Sequence, residues 1–280
     1  MDEPLHCYRH PNRETRLACS ECGRPICTDC MHHAPVGIRC PEHSNVGAAK
    51  PSATRTVRQV KGSILSHPAP VTAALVAINV IVYLITVAQG GGLNQPGGKL
   101  YAKGVLVGVW VGQGDYWRLF TVMFLHGGVL HIAFNMFALW WLGSIVEQLI
   151  GPFRFLLVYV ASGLAGSAGA LIVSGLYTPT VGASGAIFGI MGALLVLEYM
   201  QTGSLAGPAM SMIVLNMVIS VTIPGISLGG HVGGLIGGIV STLALAKTRH
   251  MRQHWIGPAL VVGVGAVSVA LAIARAKGTI

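Results

Sequence analysis

The sequence predicts an all-α polytopic membrane protein preceded by a small, cysteine-rich head. The chain of 280 residues has a mean hydropathy of +0.65 and only 10% charged residues, whereas globular domains carry about 25%. Residues 1–61 hold 15 of the 27 Asp, Glu, Lys and Arg residues, and all six cysteines lie within the first 40 residues. A disordered chain is excluded, because such chains are poor in apolar residues.

Seven apolar stretches are long enough for membrane-spanning helices, which need about 20 mostly apolar residues. They cover residues 71–88, 120–146, 155–176, 181–198, 208–223, 228–246 and 256–274. Apart from Glu198 at one terminus, they contain no Asp, Glu, Lys or Arg. We expect a six-helix core over residues 65–248 and an extra C-terminal transmembrane helix within residues 249–280. The first 60 residues lack an apolar run, so no signal peptide is expected.

Basic residues beside the spans predict the orientation of the chain in the membrane. They are Lys50, Arg55, Arg58 and Lys61 before the first span, and Lys247, Arg249 and Arg252 between the sixth and the seventh. With seven spans both segments lie on one side, which is the cytoplasm by the positive-inside rule. We expect a prokaryotic plasma-membrane protein with a cytoplasmic N-terminus and an outer C-terminus. The net charge of +9 suits contact with anionic lipid, and no nucleic-acid partner is expected.

The fourth and sixth spans both begin with a glycine-flanked polar residue. Ser184 stands in the sequence Gly-Ala-Ser-Gly over residues 182–185, and His231 follows two glycines. Both spans run inward from the outer side, and both residues lie near their starts, so we expect them at matched depth. Glycines four apart let helices approach closely, which would place the imidazole beside the hydroxyl and activate the serine. A small packing residue and a core histidine are the alternative interpretations.

A second group of polar residues lies in the second span. His131 and Asn135 are four residues apart and therefore share one helical face. His126 precedes two glycines at residues 127–128, where we expect a surface segment to turn into the helix. The donors of this face could complete an oxyanion hole together with the backbone N–H of Ser184. Hydrogen bonding between packed helices is the alternative.

The order of these motifs along the chain is itself informative. The motifs are Trp117-Arg118; His126, His131 and Asn135; Gly182-Ala183-Ser184-Gly185; and Gly230-His231 with Gly234 and Gly238. Together they resemble the rhomboid family of intramembrane serine proteases, over residues 65–246. The resemblance implies a rhomboid-like six-helix core that hydrolyses a peptide bond within or beside a transmembrane segment, near the outer face of the membrane.

The resemblance also implies a role for each matching residue. It makes Ser184 the nucleophile and His231 the general base of a dyad. The supporting residues are His131 and Asn135 as oxyanion-hole donors, with His126, Gly182 and Phe188, whose ring packs against the catalytic imidazole. Arg118 and Glu147 match framework positions. No cofactor is expected for catalysis.

The expected partners are single-span membrane proteins in the lipid bilayer. A substrate helix must unwind before a protease reaches its backbone, because helical amides are hydrogen-bonded internally. We therefore expect small or helix-breaking residues near the outer face, with cleavage after a small residue. Two other functions remain open: a transporter or channel that uses the intramembrane histidines, and a non-catalytic chaperone that binds helices. The lack of an intramembrane carboxylate weighs against transport.

The head, residues 1–45, contains four pairs of potential metal ligands. The pairs are Cys7 and His10, Cys19 and Cys22, Cys27 and Cys30, and Cys40 and His43. Eight such ligands suffice for two tetrahedral zinc sites, and a cytoplasmic location disfavours disulfides. We expect two structural Zn²⁺ ions, on which the folding of so small a domain depends. His32 and His33 are alternative ligands.

The succession of the four pairs resembles a B-box-type zinc finger. That resemblance implies a cross-brace, in which the first pair joins the third in one site and the second pair joins the fourth in the other. Residues 46–64, with Gly, Ala, Ser, Pro and basic residues, are expected to form a flexible basic linker. The head is expected to dock a cytoplasmic protein partner, to regulate the membrane domain, or to contribute only stability.

Overall fold

The computed structural model describes residues 5–34, 37–44 and 69–280. The chain divides into two compact units, residues 1–65 and 66–280. The predicted linker over residues 46–64 lies outside the described residues, as do the four basic residues that precede the first span. The finer domain boundaries therefore stay a prediction.

In its described residues, the first unit contains two short antiparallel hairpins and a core made largely of cysteine. Strands β1 (Leu5–Cys7) and β2 (His10–Thr15) form one hairpin, and β3 (His32–His33) and β4 (Ile38–Arg39) form the other. Five of the six cysteines are buried together with Ile26. So small an apolar core does not hold a domain of this size without further support such as bound metal.

The second unit is a bundle of helices, which confirms the predicted all-α polytopic fold class. Among its described residues the helices are α1 (Pro70–Gln89), α2 (Gly98–Gly104), α3 (Gly108–Gly112), α4 (Arg118–Thr121), α5 (Val129–Ile150), α6 (Pro152–Ser174), α7 (Ser184–Thr202), α8 (Pro208–Thr222), α9 (Leu228–Thr248) and α10 (Ile256–Ala276). A π-helical turn interrupts α5 at Leu139–Gly143. Six of these helices are long and apolar enough to cross a membrane.

The structure corrects the predicted seven full spans at two places. The apolar stretch 120–146 is not one helix, because α4 and a 3₁₀ turn at Val122–Phe124 precede an extended Leu125, and α5 starts only after the two predicted glycines. The predicted fifth span is α8, whose 15 residues measure about 22 Å and fall short of a hydrocarbon core of about 30 Å. The chain leaves the helical conformation at Ile223, immediately before Pro224, where a following proline disfavours it.

Glycines bring α7 and α9 into backbone contact. A methyl group at Gly234 of α9 would overlap the carbonyl oxygen of Gly185 on α7, and one at Gly238 would overlap that of Gly189. Because both positions require the smallest side chain, α7 and α9 approach as closely as helices can. This contact fixes the relative depth of the first residues of the two helices.

Two buried charged residues hold the ends of backbone segments in the bundle. Glu147 accepts hydrogen bonds from the backbone N–H groups of Val71 and Thr72, and so caps the start of α1. Arg118 donates to the carbonyl oxygens of Ala102 and Val105, at 2.8 and 2.9 Å. Both contacts satisfy backbone groups at segment ends, which fits the framework positions that the motifs imply.

Candidate active site

Ser184 and His231 lie in direct hydrogen-bond contact. Ser184 is the first residue of α7, and His231 lies in the first turn of α9. Ser184 Oγ is 2.8 Å from His231 Nε2. The glycine contacts between α7 and α9 set this distance, because they align the two helix starts. The structure thus brings together the two residues that the sequence predicts as nucleophile and base.

The imidazole of His231 is held on its face and at its second nitrogen. The ring of Phe188, one turn after Ser184, stacks on it with centroids 4.1 Å apart and an interplanar angle of 19°. Nδ1 lies 2.6 Å from the hydroxyl oxygen of Ser220 on α8. His231 is only 7% exposed. Contacts with Ser184, Phe188 and Ser220 therefore fix the orientation of the ring.

Sequence reasoning missed Ser220. It lies 11 residues before His231 on a different helix, and a serine that bonds to the carbonyl four residues earlier is common within helices. The signal that could have found it is the spacing of Asn216 and Ser220, two polar residues four apart on one face of the mostly apolar α8. That spacing gives no indication of the element that the face contacts.

His131 presents an N–H beside the serine. Its Nδ1 accepts a hydrogen bond from the backbone N–H of Gly127, at 3.3 Å, so the proton of the neutral ring is on Nε2. A Cβ atom added to Gly182 would lie 2.8 Å from His131 Nε2 and 3.6 Å from Ser184 Oγ. Gly182 has a φ of +131° and little space on its side-chain face, so glycine is required there.

Asn135 and His126 lie near this group without touching Ser184. The side-chain nitrogen of Asn135 has no hydrogen-bond partner among the described residues, and Asn135 lines the same cavity as Ser184. His126 is fully buried, and its ring meets that of His131 edge-on, with centroids 5.1 Å apart. The side-chain N–H groups of Asn135 are thus free to donate a hydrogen bond. The ring of His126 packs against that of His131 and supports its position.

Except for His126, these residues line one cavity of about 940 Å³. Residues of α5, α6, α7, α8 and α9 form its walls, and Gly163, Gly166 and Ala170 contribute a wall of small residues. As the first residue of α7, Ser184 also has a backbone N–H without a partner in its own helix. The cavity therefore combines a hydroxyl, an imidazole and several N–H donors, which is the set that acyl transfer requires.

Six cysteines and two histidines of the head form two groups of four. One consists of Cys7, His10, Cys27 and Cys30, and the other of Cys19, Cys22, Cys40 and His43, with ligand atoms within 4.8 Å of one another in each. His10 Nδ1 lies 3.4 Å from the sulfurs of Cys27 and Cys30. Ligand atoms of a tetrahedral zinc site with the usual bond lengths are about 3.4–3.8 Å apart. Each group can therefore hold a metal ion.

The members of the two groups are those of the predicted cross-brace. His32 and His33 belong to neither group. At Cys7 and Cys19 hydrogen bonds from the backbone outweigh burial and lower the pKa to about 6 and about 5, whereas burial and the neighbouring thiols raise the pKa of Cys30 to about 11. Thiolates at Cys7 and Cys19 suit a divalent ion, because the thiolate is the form that binds metal.

The fold and the site define a polytopic helical membrane protein with a serine–histidine pair in a cavity between its helices. Residues 113–248 match the family described as the rhomboid domain. This match confirms the resemblance to the rhomboid family that the motifs indicated.

Relatives with curated names agree with this assignment. The chain is 33% identical over 180 residues to the rhomboid protease GluP of Bacillus subtilis (strain 168), covering 62% of this chain and 35% of that protein. It is 41% identical over 87 residues to the putative rhomboid protease YdcA of the same organism, covering 31% and 44%. It is 45% identical over 86 residues to RHOMBOID-like protein 5 of Arabidopsis thaliana, covering 30% and 28%. The chain thus spans less than half of the length of each relative.

Proposed function

We propose that the chain is an intramembrane serine endopeptidase, which cleaves single-span membrane proteins within or beside their transmembrane segment. The observation that carries this proposal is the 2.8 Å contact between Ser184 Oγ and His231 Nε2 inside a cavity walled by apolar helices. The names of the two Bacillus subtilis relatives, both called rhomboid proteases, support it. A hydroxyl and an imidazole in this contact form the pair that activates a serine nucleophile.

The proposed reaction is acyl transfer in two stages. Ser184 Oγ attacks the scissile carbonyl carbon while His231 Nε2 takes the hydroxyl proton. The carbonyl oxygen becomes an oxyanion, which the Ser184 backbone N–H, His131 Nε2–H and the Asn135 amide stabilise. His231 then gives its proton to the leaving amine, and the C–N bond breaks. Water, deprotonated by His231, hydrolyses the acyl-enzyme and restores Ser184.

The cavity also favours a particular class of substrate. A helical segment offers no free backbone to a protease, because its amides are hydrogen-bonded internally. The glycine and alanine wall of the cavity leaves room for a locally extended chain. We therefore propose that substrates carry small or helix-breaking residues at the cleavage site. With the N-terminus in the cytoplasm, as the basic residues predict, this site faces the outer leaflet.

The test compares cleavage by the wild-type protein and two variants in liposomes that contain a fluorogenic transmembrane substrate. Ser184→Ala and His231→Ala are expected to abolish cleavage, and Ser184→Ala to abolish covalent labelling by a fluorophosphonate. Ser204→Ala, which alters an exposed loop serine, is the matched control and keeps both activities. Cleavage that survives both substitutions would contradict the proposal. A wild-type protein that binds the segment without cleaving it would instead be a helix-binding chaperone.

For the head we propose two structural Zn²⁺ ions. Three cysteines and one histidine in each group form a donor set that zinc prefers, and four protein ligands leave no coordination position open for catalysis. The residues that would hold the ions also supply most of the buried core of the head. The metal would therefore stabilise the head without taking part in the reaction.

A further inference from the structure

The hydroxyl of Ser220 lies between two acceptor-capable groups. Its oxygen is 2.6 Å from the backbone carbonyl oxygen of Asn216 and 2.6 Å from His231 Nδ1. Ser220 is only 4% exposed, so water does not compete freely for either contact. A hydroxyl has one proton to donate and two lone pairs that accept.

The proton positions follow from the carbonyl. A carbonyl oxygen only accepts hydrogen bonds, and two oxygens 2.6 Å apart without a proton between them would repel each other. Ser220 must therefore donate to Asn216. Its remaining contact with His231 is then one in which Nδ1–H donates and Ser220 Oγ accepts. In a neutral imidazole this leaves Nε2 without a proton, ready to accept the hydrogen bond of Ser184.

We propose that Ser220 is a positioning residue that fixes the catalytically competent tautomer of His231. The proposal rests on the proposed protease function and adds a third member to the Ser184–His231 pair. In serine proteases with a triad, a carboxylate holds the imidazole by its Nδ1–H and stabilises the imidazolium that forms. Here a serine hydroxyl, backed by a helix carbonyl, occupies that place. A neutral hydroxyl avoids burying a carboxylate in the bilayer, which is costly.

The arrangement forms one continuous hydrogen-bonded chain across three helices. It runs from Ser184 on α7 through His231 on α9 to Ser220 and the Asn216 carbonyl on α8. The opposite tautomer would reverse the first two bonds, and Nε2–H would then donate to Ser184 and be unable to take its proton. The hydroxyl on α8 therefore decides whether the serine can be activated.

Nitrogen NMR of the full chain in lipid nanodiscs, labelled with ¹⁵N-histidine, tests the tautomer directly. In the wild type the His231 resonances are expected to show a protonated Nδ1 and an unprotonated Nε2. Ser220→Ala is expected to mix the two tautomers and shift both resonances toward each other. Ser211→Ala is the matched control, because Ser211 makes the same type of bond to a carbonyl four residues earlier but is exposed. A Ser220→Ala protein that keeps the wild-type tautomer would overturn the proposal.

Kinetics supply the second readout. Ser220→Ala is expected to lower kcat by about 10- to 100-fold with KM unchanged, as for loss of a hydrogen bond to a group that becomes charged. Ser220→Thr, which retains the hydroxyl, is expected to restore most of kcat. Should Ser220→Ala fail to fold, Ser220→Cys keeps the shape with a weaker hydrogen-bonding group and is expected to give an intermediate kcat. Equal kcat for wild type, Ser220→Ala and Ser220→Cys would refute the role.

The two proposals fail in distinguishable ways. Absence of cleavage and of fluorophosphonate labelling in the wild type would refute the protease function, whereas the NMR spectra would still decide the tautomer. Full wild-type activity together with an unchanged tautomer in Ser220→Ala would refute only the positioning role.

Discussion

At the residue scale, the stacking of Phe188 on His231 has a measurable consequence. The ring limits rotation of the imidazole, whose Nε2 must stay in line with Ser184 Oγ. Phe188→Leu is expected to lower kcat by about 3- to 10-fold, since such ring pairs contribute about 0.5–1.5 kcal/mol beyond their buried area. The comparison is Phe153→Leu, which changes an exposed ring on α6. An equal kcat for Phe188→Leu and wild type would show that the stacking does not position the base.

Asn135 gives a second prediction at this scale. Asn135 lines the cavity and its side-chain nitrogen is buried without a hydrogen-bond partner among the described residues, so it can donate to an oxyanion at no cost to an existing bond. Asn135→Ala is expected to lower kcat by about 100- to 1000-fold, the usual effect of removing one oxyanion-hole donor. KM and the thermal unfolding temperature are expected to stay near wild type. A loss confined to KM would instead place Asn135 in substrate binding.

Much of the site could be predicted from the residue types and their position in the sequence, but Ser220 could not. Ser184 and His231 are found from sequence because each stands at the start of an apolar stretch, among glycines that imply close packing. Phe188 is found through the resemblance to the rhomboid family. Ser220 could not be predicted, because its contact with His231 depends on how α8 packs against α9, and the spacing of residues along the chain does not show that packing.

At the element scale, the contact between α7 and α9 supports the site. A methyl group on Gly234 would overlap the carbonyl oxygen of Gly185, so Gly234→Ala must push the helices apart. We expect destabilisation of about 1–3 kcal/mol and slower fluorophosphonate labelling, because Ser184 and His231 separate. Gly263→Ala, on α10 where nothing lies within 4 Å, is the matched helical control. It is expected to be neutral or mildly stabilising, and equal behaviour of the two variants would contradict this view of the contact.

Hydropathy alone does not predict where every helix begins or whether it spans the membrane. The stretch 120–146 contains no charged residue, yet its first part forms α4 and a 3₁₀ turn, since the extended backbone at Leu125 ends the first helical segment before the two glycines. Backbone conformation, which a hydropathy average does not register, sets the start of this helix. The predicted fifth span, in contrast, agrees with α8 to within one residue, but its 15 residues are too few to cross the membrane.

At the scale of the whole molecule, zinc binding is expected to involve the head and not the membrane unit. The head and the membrane unit have separate hydrophobic cores. The purified full chain is expected to contain about two zinc ions, and Cys30→Ser about one, because each tetrahedral site needs its four ligands. His33→Ala, outside both groups, is expected to keep two. A wild-type chain without zinc would refute the metal assignment.

Chelation of the full chain tests the independence of the units. Limited proteolysis is expected to cut within residues 5–44 after chelation, because folding of the head depends on the metal. Fluorophosphonate labelling of Ser184 is expected to persist. Labelling that disappears together with the zinc would contradict independence and show that the head controls the active site.

The ligands of the two metal sites alternate along the chain, and this order determines whether part of the head can be transferred to another protein. One site spans residues 7–30 and the other residues 19–43. A break between residues 10 and 19 separates the ligands of the first site, one between 30 and 40 those of the second, and one between 22 and 27 those of both. Any break between residues 7 and 43 leaves at least one site incomplete, so recombination or protein engineering can transfer both sites only with the head as a whole.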